Sequence, residues 1–289
     1  MNERVGLIGT GLMGTPMAHR LIEAGIELCI FNRTREKAEA VTGDSALVAE
    51  TPAALAARVD IIILMLADTQ AVDSTLRGPG GVLETLAPGT LVIDMGTTAV
   101  ADTRVFAEDI NDAGGSFLDA PVSGGVVGAE QGSLSIMVGG DQASIDRAMD
   151  LFNALGSKVT RVGEVGAGQV AKAVNQVIVG LTISAVAEGL ALAERAGADI
   201  DQVREALSGG FASSRVLELH GARMAKRDYK PGGRCSTQRK DLDQALELAG
   251  MVGIELPSTE LCRSRYDALI KAQGGDLDHS ALIELYRQV

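Results

Sequence analysis

Two hydrophobic periods alternate along the first half of the chain. Short runs at 5–8, 27–31, 61–64 and 91–93 are apolar at nearly every position and rich in Val and Ile, whereas the Ala-rich segments between them carry apolar residues every three to four positions. Continuous short runs predict strands buried on both faces, and the wider spacing predicts helices. Strands and helices in alternation make a doubly wound, mostly parallel sheet with helices on both faces. Further strands are expected at 116–118, 134–138 and 158–162, with a helix over 141–155. Past Gly163 the strand signal stops. One helical pattern runs over 166–197, interrupted only by Gly180 and Gly189, and more helices are expected at 199–207, 214–226, 236–251, 257–273 and 280–288. The fold class is therefore α/β: a sheet domain over 1–163, then an all-helical domain over 164–289 entered through a long connecting helix at 164–197. The 289 residues suit two domains of about 150 residues each.

Composition sharpens this picture. Gly is 35 of 289 while Phe, Tyr and Trp are 5, 3 and 0, so the core has to be built from Ala, Val, Leu and Ile. Lys plus Arg at 26 against Asp plus Glu at 38 leaves a net charge of -12, which argues against nucleic acid as a partner. The longest uncharged stretch, 173–187, is shorter than the roughly 20 residues of a membrane span and contains Asn175, Gln176, Thr182 and Ser184. It reads as a buried helix of a protein without a membrane role, with part of its apolar surface left for a second subunit in a homodimer or homotetramer. The N-terminus lacks the long apolar centre of a secretory signal, so a cytoplasmic location is expected. Cys29, Cys235 and Cys262 are odd in number and far apart, which speaks against a disulfide framework or a structural metal. His19, His220 and His279 are isolated along the chain.

Chemistry gathers at two places. The first strand runs into Gly9-Thr10-Gly11-Leu12-Met13-Gly14, a GxGxxG between a strand and a helix. The first Gly permits the tight turn, the second lets backbone approach a pyrophosphate, and the third lets the helix pack on the strand. The unpaired N–H groups of the helix N-terminus then face the anion. Gly9, Gly11, Leu12, Met13 and Gly14 are thus expected against a dinucleotide, which makes the sheet domain Rossmann-type. After the second strand, Phe31-Asn32-Arg33-Thr34-Arg35 lacks the acid that NAD sites place on the ribose 2′-OH. Arg33 suits a 2′-phosphate and Asn32 and Thr34 offer hydrogen bonds, so NADP is expected in preference to NAD. The second place is Lys172, the one charge between 165 and 187, which on a helix shares a face with Gly168, Asn175, Gln176 and Val179. Such a polar stripe points into a site. Partial burial would lower the ammonium pKa toward neutrality and suit proton transfer to a developing alkoxide.

Four motifs stand in order over nearly the full length: the turn extended through Pro16-Met17-Ala18, Asp119-Ala-Pro-Val-Ser-Gly-Gly125, Gly166-Ala-Gly-Gln-Val-Ala-Lys-Ala-Val-Asn175, and Lys240-Asp-Leu242. With them the chain resembles the β-hydroxyacid dehydrogenases, a family that includes 3-hydroxyisobutyrate dehydrogenase, tartronate semialdehyde reductase and 6-phosphogluconate dehydrogenase. The resemblance implies that Lys172 is the catalytic acid and base and that Asn175 holds substrate. It implies that Ser123, Gly124 and Gly125 bind the substrate carboxylate, a role to which a hydroxyl and closely spaced backbone N–H groups are suited. It also implies that Leu66, Ala67 and Thr97 line the nicotinamide half of the cofactor site and that Lys240 reaches cofactor and substrate.

Asn175-Gln176 and Asp278-His-Ser-Ala-Leu282 resemble the tartronate semialdehyde reductase branch, which places Gln176 at the substrate. That branch points to NADP-dependent interconversion of 2-hydroxy-3-oxopropionate and glycerate. Other β-hydroxy acids, namely 3-hydroxyisobutyrate, serine or a sulfonated analogue, fit the same parts, and a nucleotide-sensing module without catalysis is the reading of another class. Imine reductases share the architecture but lack this lysine. The chain departs from the family pattern at Ala67 for Pro, Gly96 for Ser and Gly233 for Phe. Loss of the aromatic is expected to open the pocket, with Arg234, Gln238 and Arg239 adding polar groups nearby. The segment 223–240 holds seven bases and only Asp228, so positive charge is expected where an anion binds.

Overall fold

A computed structural model supplies the tertiary structure, and it describes residues 3–42 and 47–287. Among the described residues nine strands form one sheet: β1 (Val5–Ile8), β2 (Leu28–Phe31), β3 (Leu47–Val48), β4 (Ile61–Leu64), β5 (Leu91–Asp94), β6 (Ser116–Asp119), β7 (Val122–Ser123), β8 (Leu134–Gly139) and β9 (Gly156–Gly163). Their order is β3-β2-β1-β4-β5-β6-β8-β7, with β9 on β8. Pairing is parallel from β3 through β6 and between β8 and β9, while β8 runs antiparallel to β6 and β7. The expected doubly wound, mostly parallel sheet is present.

The strands are accompanied by the helices α1 (Gly14–Glu23), α2 (Arg35–Thr42), α3 (Pro52–Ala56), α4 (Thr69–Arg77), α5 (Val100–Asp112), α6 (Gly125–Gln131) and α7 (Gln142–Leu155). Strands β1, β4 and β5 are buried at every position, because successive side chains enter opposite cores. Leu7, Ile61, Ile63 and Ile93 pack with Met17, Leu21, Leu151 and Phe152 on one face. Ile8, Ile62, Leu64 and Val92 pack with Leu55, Val72, Phe106 and Ile110 on the other. The strand order reverses between β1 and β4, which opens a crevice at their C-terminal ends. The glycine turn lies there.

Helix α8 (Ala167–Arg195) has 29 residues and is about 43 Å long. The chain divides into two compact units inside this helix, one ending at Lys172 and the other beginning at Ala173. The second unit continues with α9 (Ile200–Leu207), α10 (Arg215–Lys226), α11 (Cys235–Met251), α12 (Pro257–Leu269) and α13 (Glu284–Arg287). By length and apolarity α8 could cross a membrane, and only 28% of its most apolar stretch is buried, so the expectation of a buried helix over 173–187 needs correction. One face does pack: Ile183, Ala187, Leu190 and Ala191 form a core with Met224, Leu242, Cys262 and Tyr266.

Two expected helices differ. The one at 257–273 stops at Leu269 and widens into a π turn, Ile270–Gly274. The one at 280–288 begins as a 3-10 turn, His279–Ile283, because the Asp278 side chain accepts the Ser280 N–H and tightens the start. The three cysteines are separate buried thiols.

Candidate active site

The turn after β1 is built by close approach. Gly9 has φ 104°, and a Cβ there would fall 2.4 Å from the Met65 carbonyl oxygen, while a Cβ on Gly14 would fall 1.9 Å from that of Gly9. A Cβ on Gly11 would meet nothing within 4 Å, so this backbone presents an open face. The buried Thr10 hydroxyl between them has no hydrogen-bond partner among the described residues. Open glycine backbone with a buried hydroxyl in the crevice fits the pyrophosphate of a nicotinamide dinucleotide. Asn32 Oδ1 accepts the Thr10 N–H at 3.0 Å, and its Nδ2 donates to the Thr34 carbonyl oxygen at 2.8 Å. Its amide therefore ties the turn to the end of β2, a task the sequence reading did not assign when it offered this group to a phosphate. Arg35 pairs with Glu39 at 2.7 Å. Arg33 is exposed and makes no ion pair among the described residues.

Leu66 and Ala67 follow β4, and Thr97 follows β5. Beneath Thr97, buried Asp94 accepts the Gly96 N–H at 3.0 Å and the Thr98 hydroxyl at 2.5 Å. Gln169 of α8 clamps the same loop, accepting the Thr98 N–H at 3.2 Å and donating to the Gly96 carbonyl oxygen at 3.0 Å. A Cβ on Gly96 would lie 2.9 Å from the Leu66 carbonyl oxygen, so this loop lies close against the segment that follows β4.

Asp119, at the end of β6 and in register with Asp94, is the cap of α8. Its carboxylate accepts the Gly166 N–H at 2.7 Å and the Gln169 N–H at 2.8 Å, satisfying two unpaired donors of the helix start. Burial pushes this carboxyl up to about 6, with the charge of Asp94 acting in the same sense and the backbone hydrogen bonds opposing. One turn further along the helix, Lys172 is 8% exposed and donates from Nζ to the Val122 carbonyl oxygen at 2.8 Å. Val122 adjoins Ser123, which is half-buried, and Gly124 and Gly125, which are exposed at φ 137° and 62°. A buried ammonium beside a hydroxyl and accessible backbone N–H groups can hold a carboxylate and protonate a neighbouring oxygen. Sequence reasoning missed Asp94, Asp119 and Gln169 as supports. Their signal was an acid ending two apolar runs and a Gln three residues before the lysine.

In the helical unit, Asn175 Nδ2 donates to Gln176 Oε1 at 2.8 Å, and Gln176 Nε2 donates to Asp241 Oδ2. Lys240 Nζ stands 3.1 Å from Asp241 Oδ1. Asp241 thus gathers Lys240 and, through Gln176, Asn175. Other expectations in this unit need correction. A Cβ on Gly233 would lie 3.3 Å from the His279 ring, so this glycine stands against an imidazole and not against open space. Gln238 is buried and bonded within the fold, Arg239 pairs with Asp243 and Asp267, and Arg234 lies 3.6 Å from Asp276. Acids from elsewhere therefore answer much of the basic segment. His220 and His279, isolated along the chain, meet in space.

The chain is similar in sequence and fold to known proteins. Residues 4–163 match the NAD-binding domain of 6-phosphogluconate dehydrogenase, and residues 166–286 match the NAD-binding family of NADP-dependent 3-hydroxyisobutyrate dehydrogenase. The chain belongs to the β-hydroxyacid dehydrogenase family and is an oxidoreductase that uses a nicotinamide cofactor. It is 43% identical over 281 residues to 2-hydroxy-3-oxopropionate reductase of Escherichia coli (strain K12), covering 97% of this chain and 96% of that one. It is 32% identical to 2-(hydroxymethyl)glutarate dehydrogenase of Eubacterium barkeri over 290 residues, 99% of this chain and 95% of the relative. The Mycobacterium tuberculosis 3-hydroxyisobutyrate dehydrogenase structure with L-serine superposes with a TM-score of 0.89 at 31% identity, covering 99% of this chain and 100% of that one.

Proposed function

We propose that the protein interconverts a short semialdehyde and its 3-hydroxy acid with NADP in preference to NAD, 2-hydroxy-3-oxopropionate and glycerate being the favoured pair. The observation that carries the reading is Lys172, buried and held at 2.8 Å from the Val122 carbonyl oxygen next to Ser123. In the reducing direction Lys172 gives a proton to the carbonyl oxygen, and in the oxidising direction it removes the hydroxyl proton. The nicotinamide, when bound, supplies or accepts the hydride. Ser123, Gly124 and Gly125 bind the carboxylate, and Asn175, its amide oriented by Gln176, holds the hydroxyl. Gly9, Gly11, Leu12, Met13 and Gly14 would hold the pyrophosphate, Arg33 and Thr34 the 2′-phosphate, and Leu66, Ala67, Thr97 and Lys240 the nicotinamide side. The 43% identity to a 2-hydroxy-3-oxopropionate reductase supports the substrate pair.

The test is steady-state kinetics with each cofactor over glycerate, 3-hydroxyisobutyrate, serine and a sulfonated analogue. Glycerate is expected to give the highest kcat/KM, and turnover of none of these acids would overturn the reading. Lys172→Ala is expected to lower kcat by about 10²- to 10⁴-fold, and full turnover would remove its role. Arg33→Asp is expected to reverse the cofactor preference, and an unchanged ratio would remove that assignment. The exposed Val174, Ile178 and Leu192 of α8 support a homodimer or homotetramer, for which light scattering giving a monomer is the refuting result.

A further inference from the structure

Gln169, in the first turn of α8, is 2% exposed and bonded at three points. Its main-chain N–H donates to Asp119 Oδ2 at 2.8 Å, its Oε1 accepts the Thr98 N–H at 3.2 Å, and its Nε2 donates to the Gly96 carbonyl oxygen at 3.0 Å. The main-chain partners fix which way the amide faces, because an N–H needs an acceptor and a carbonyl oxygen needs a donor. A carboxylate in its place would offer no donor, and an ammonium no acceptor.

These bonds join two strand ends. Asp94 closes β5 and Asp119 closes β6, and the two are partners in register. Asp94 holds the loop that follows it, accepting the Gly96 N–H and the Thr98 hydroxyl. Asp119 holds the start of α8, accepting the Gly166 and Gln169 N–H groups. Gln169 is the cross-member, tied through Asp119 to the sheet and through its amide to the loop. The two loop residues it bonds are those on either side of Thr97. Lys172 follows three residues later on the same side of the helix, about 4.5 Å further along the axis. One amide therefore stands between Thr97 and the helical turn that carries Lys172.

Reduction of a carbonyl group delivers the hydride to its carbon and the proton to the oxygen bonded to that carbon. The two donors therefore have to stand at a set distance from each other. We propose that Gln169 is a positioning residue that sets this distance, by fixing loop 96–98 against the helix that carries Lys172. The proposal rests on the assignment of Thr97 to the nicotinamide side and of Lys172 to proton transfer. Gln169 itself is buried against main chain and acts through these partners.

Gln169→Met keeps the length of the side chain and removes both amide bonds. At saturating cofactor and hydroxy acid, kcat should fall about 10- to 100-fold, the cost of a displacement approaching 1 Å. KM for the hydroxy acid should stay within about 2-fold, because loop 123–125 is untouched. A second readout needs neither cofactor nor turnover: ¹³C NMR of the lysine-labelled whole chain, with the Lys172 signal identified by its loss in Lys172→Ala. Gln169→Met should shift that signal. Thr98→Val, which removes the hydroxyl on Asp94 and loosens the loop, should shift it too, and should add nothing once Gln169→Met is present.

A folded Gln169→Met with wild-type kcat overturns the proposal, as does an unmoved Lys172 signal. A loss confined to KM for the cofactor, with kcat kept at saturation, also overturns it, since Gln169 would then serve the cofactor loop alone. Should Gln169→Met fail to fold, Thr98→Val decides by itself: a shifted Lys172 signal supports the proposal and an unmoved one overturns it. If the wild type turns over no hydroxy acid, the functional reading fails, while the lysine signal still decides whether Gln169 holds Lys172.

Discussion

Replacing Gly168 by Ala tests how the lysine is held in place. A Cβ there would fall 2.5 Å from the Met137 carbonyl oxygen, 2.6 Å from that of Asp119 and 2.9 Å from Asp119 Oδ2. Met137 lies in β8 and Asp119 in β6, inside a hydrogen-bonded sheet, so the helix start has to give way. Restoring even a 3.0 Å contact from 2.5 Å moves α8 by about half an ångström. Overpacking of this kind costs about 1–3 kcal/mol, which for a protein of this size lowers Tm by about 2–10 °C. The same shift pulls Asp119 off the Gly166 and Gln169 N–H groups and carries Lys172 away from Val122. A misplacement of about 1 Å costs about 10²-fold in rate, so half of that should lower kcat about tenfold. Gly189→Ala is the control in the same helix. Its Cβ would meet nothing within 4 Å, and it should gain about 0.5–1 kcal/mol with kcat unchanged. Calorimetric melting and kcat on the best hydroxy acid read both effects. Gly168→Ala that melts and turns over like wild type would refute the account of how Lys172 is positioned.

Two further outcomes concern buried acids. Asp119, raised to about 6, binds its proton more tightly folded than unfolded, so stability falls as pH rises from about 4 to about 6. Wild type should lose up to about 3 kcal/mol relative to Asp119→Asn across that window in urea unfolding, and a flat difference would refute it. Asp278 is shifted the other way, so its contribution is present above the ordinary carboxylate range and disappears only in strong acid. Asp278→Asn leaves the Arg223 guanidinium without its anion and should cost about 3–5 kcal/mol at neutral pH. A loss below about 1 kcal/mol would show that the carboxylate is not what neutralises it.

Much of the fold was legible in sequence because strands β1, β4 and β5 are short runs apolar at every position, and only a sheet covered on both faces buries both sides of such a run. The glycine turn was legible for a related reason: the spacing of Gly9, Gly11 and Gly14 follows from contacts within a few residues, which a linear reading can follow. Lys172 stood out as the one charge in a neutral stretch. Its supports did not, because Asp119 is 50 residues from Gln169 and Gln169 is 73 residues from Gly96, and no local period encodes such pairs. Likewise the basic run 223–240 looked available until Asp278, Asp276, Asp243 and Asp267 came beside Arg223, Arg234 and Arg239. The chain by itself determined which segments become strands and helices and where the glycine turn falls, since these depend on neighbours in sequence. Only the tertiary structure decided which charges are answered, which glycines are irreplaceable and which histidines meet, because burial and distance between remote residues exist only once the chain has folded.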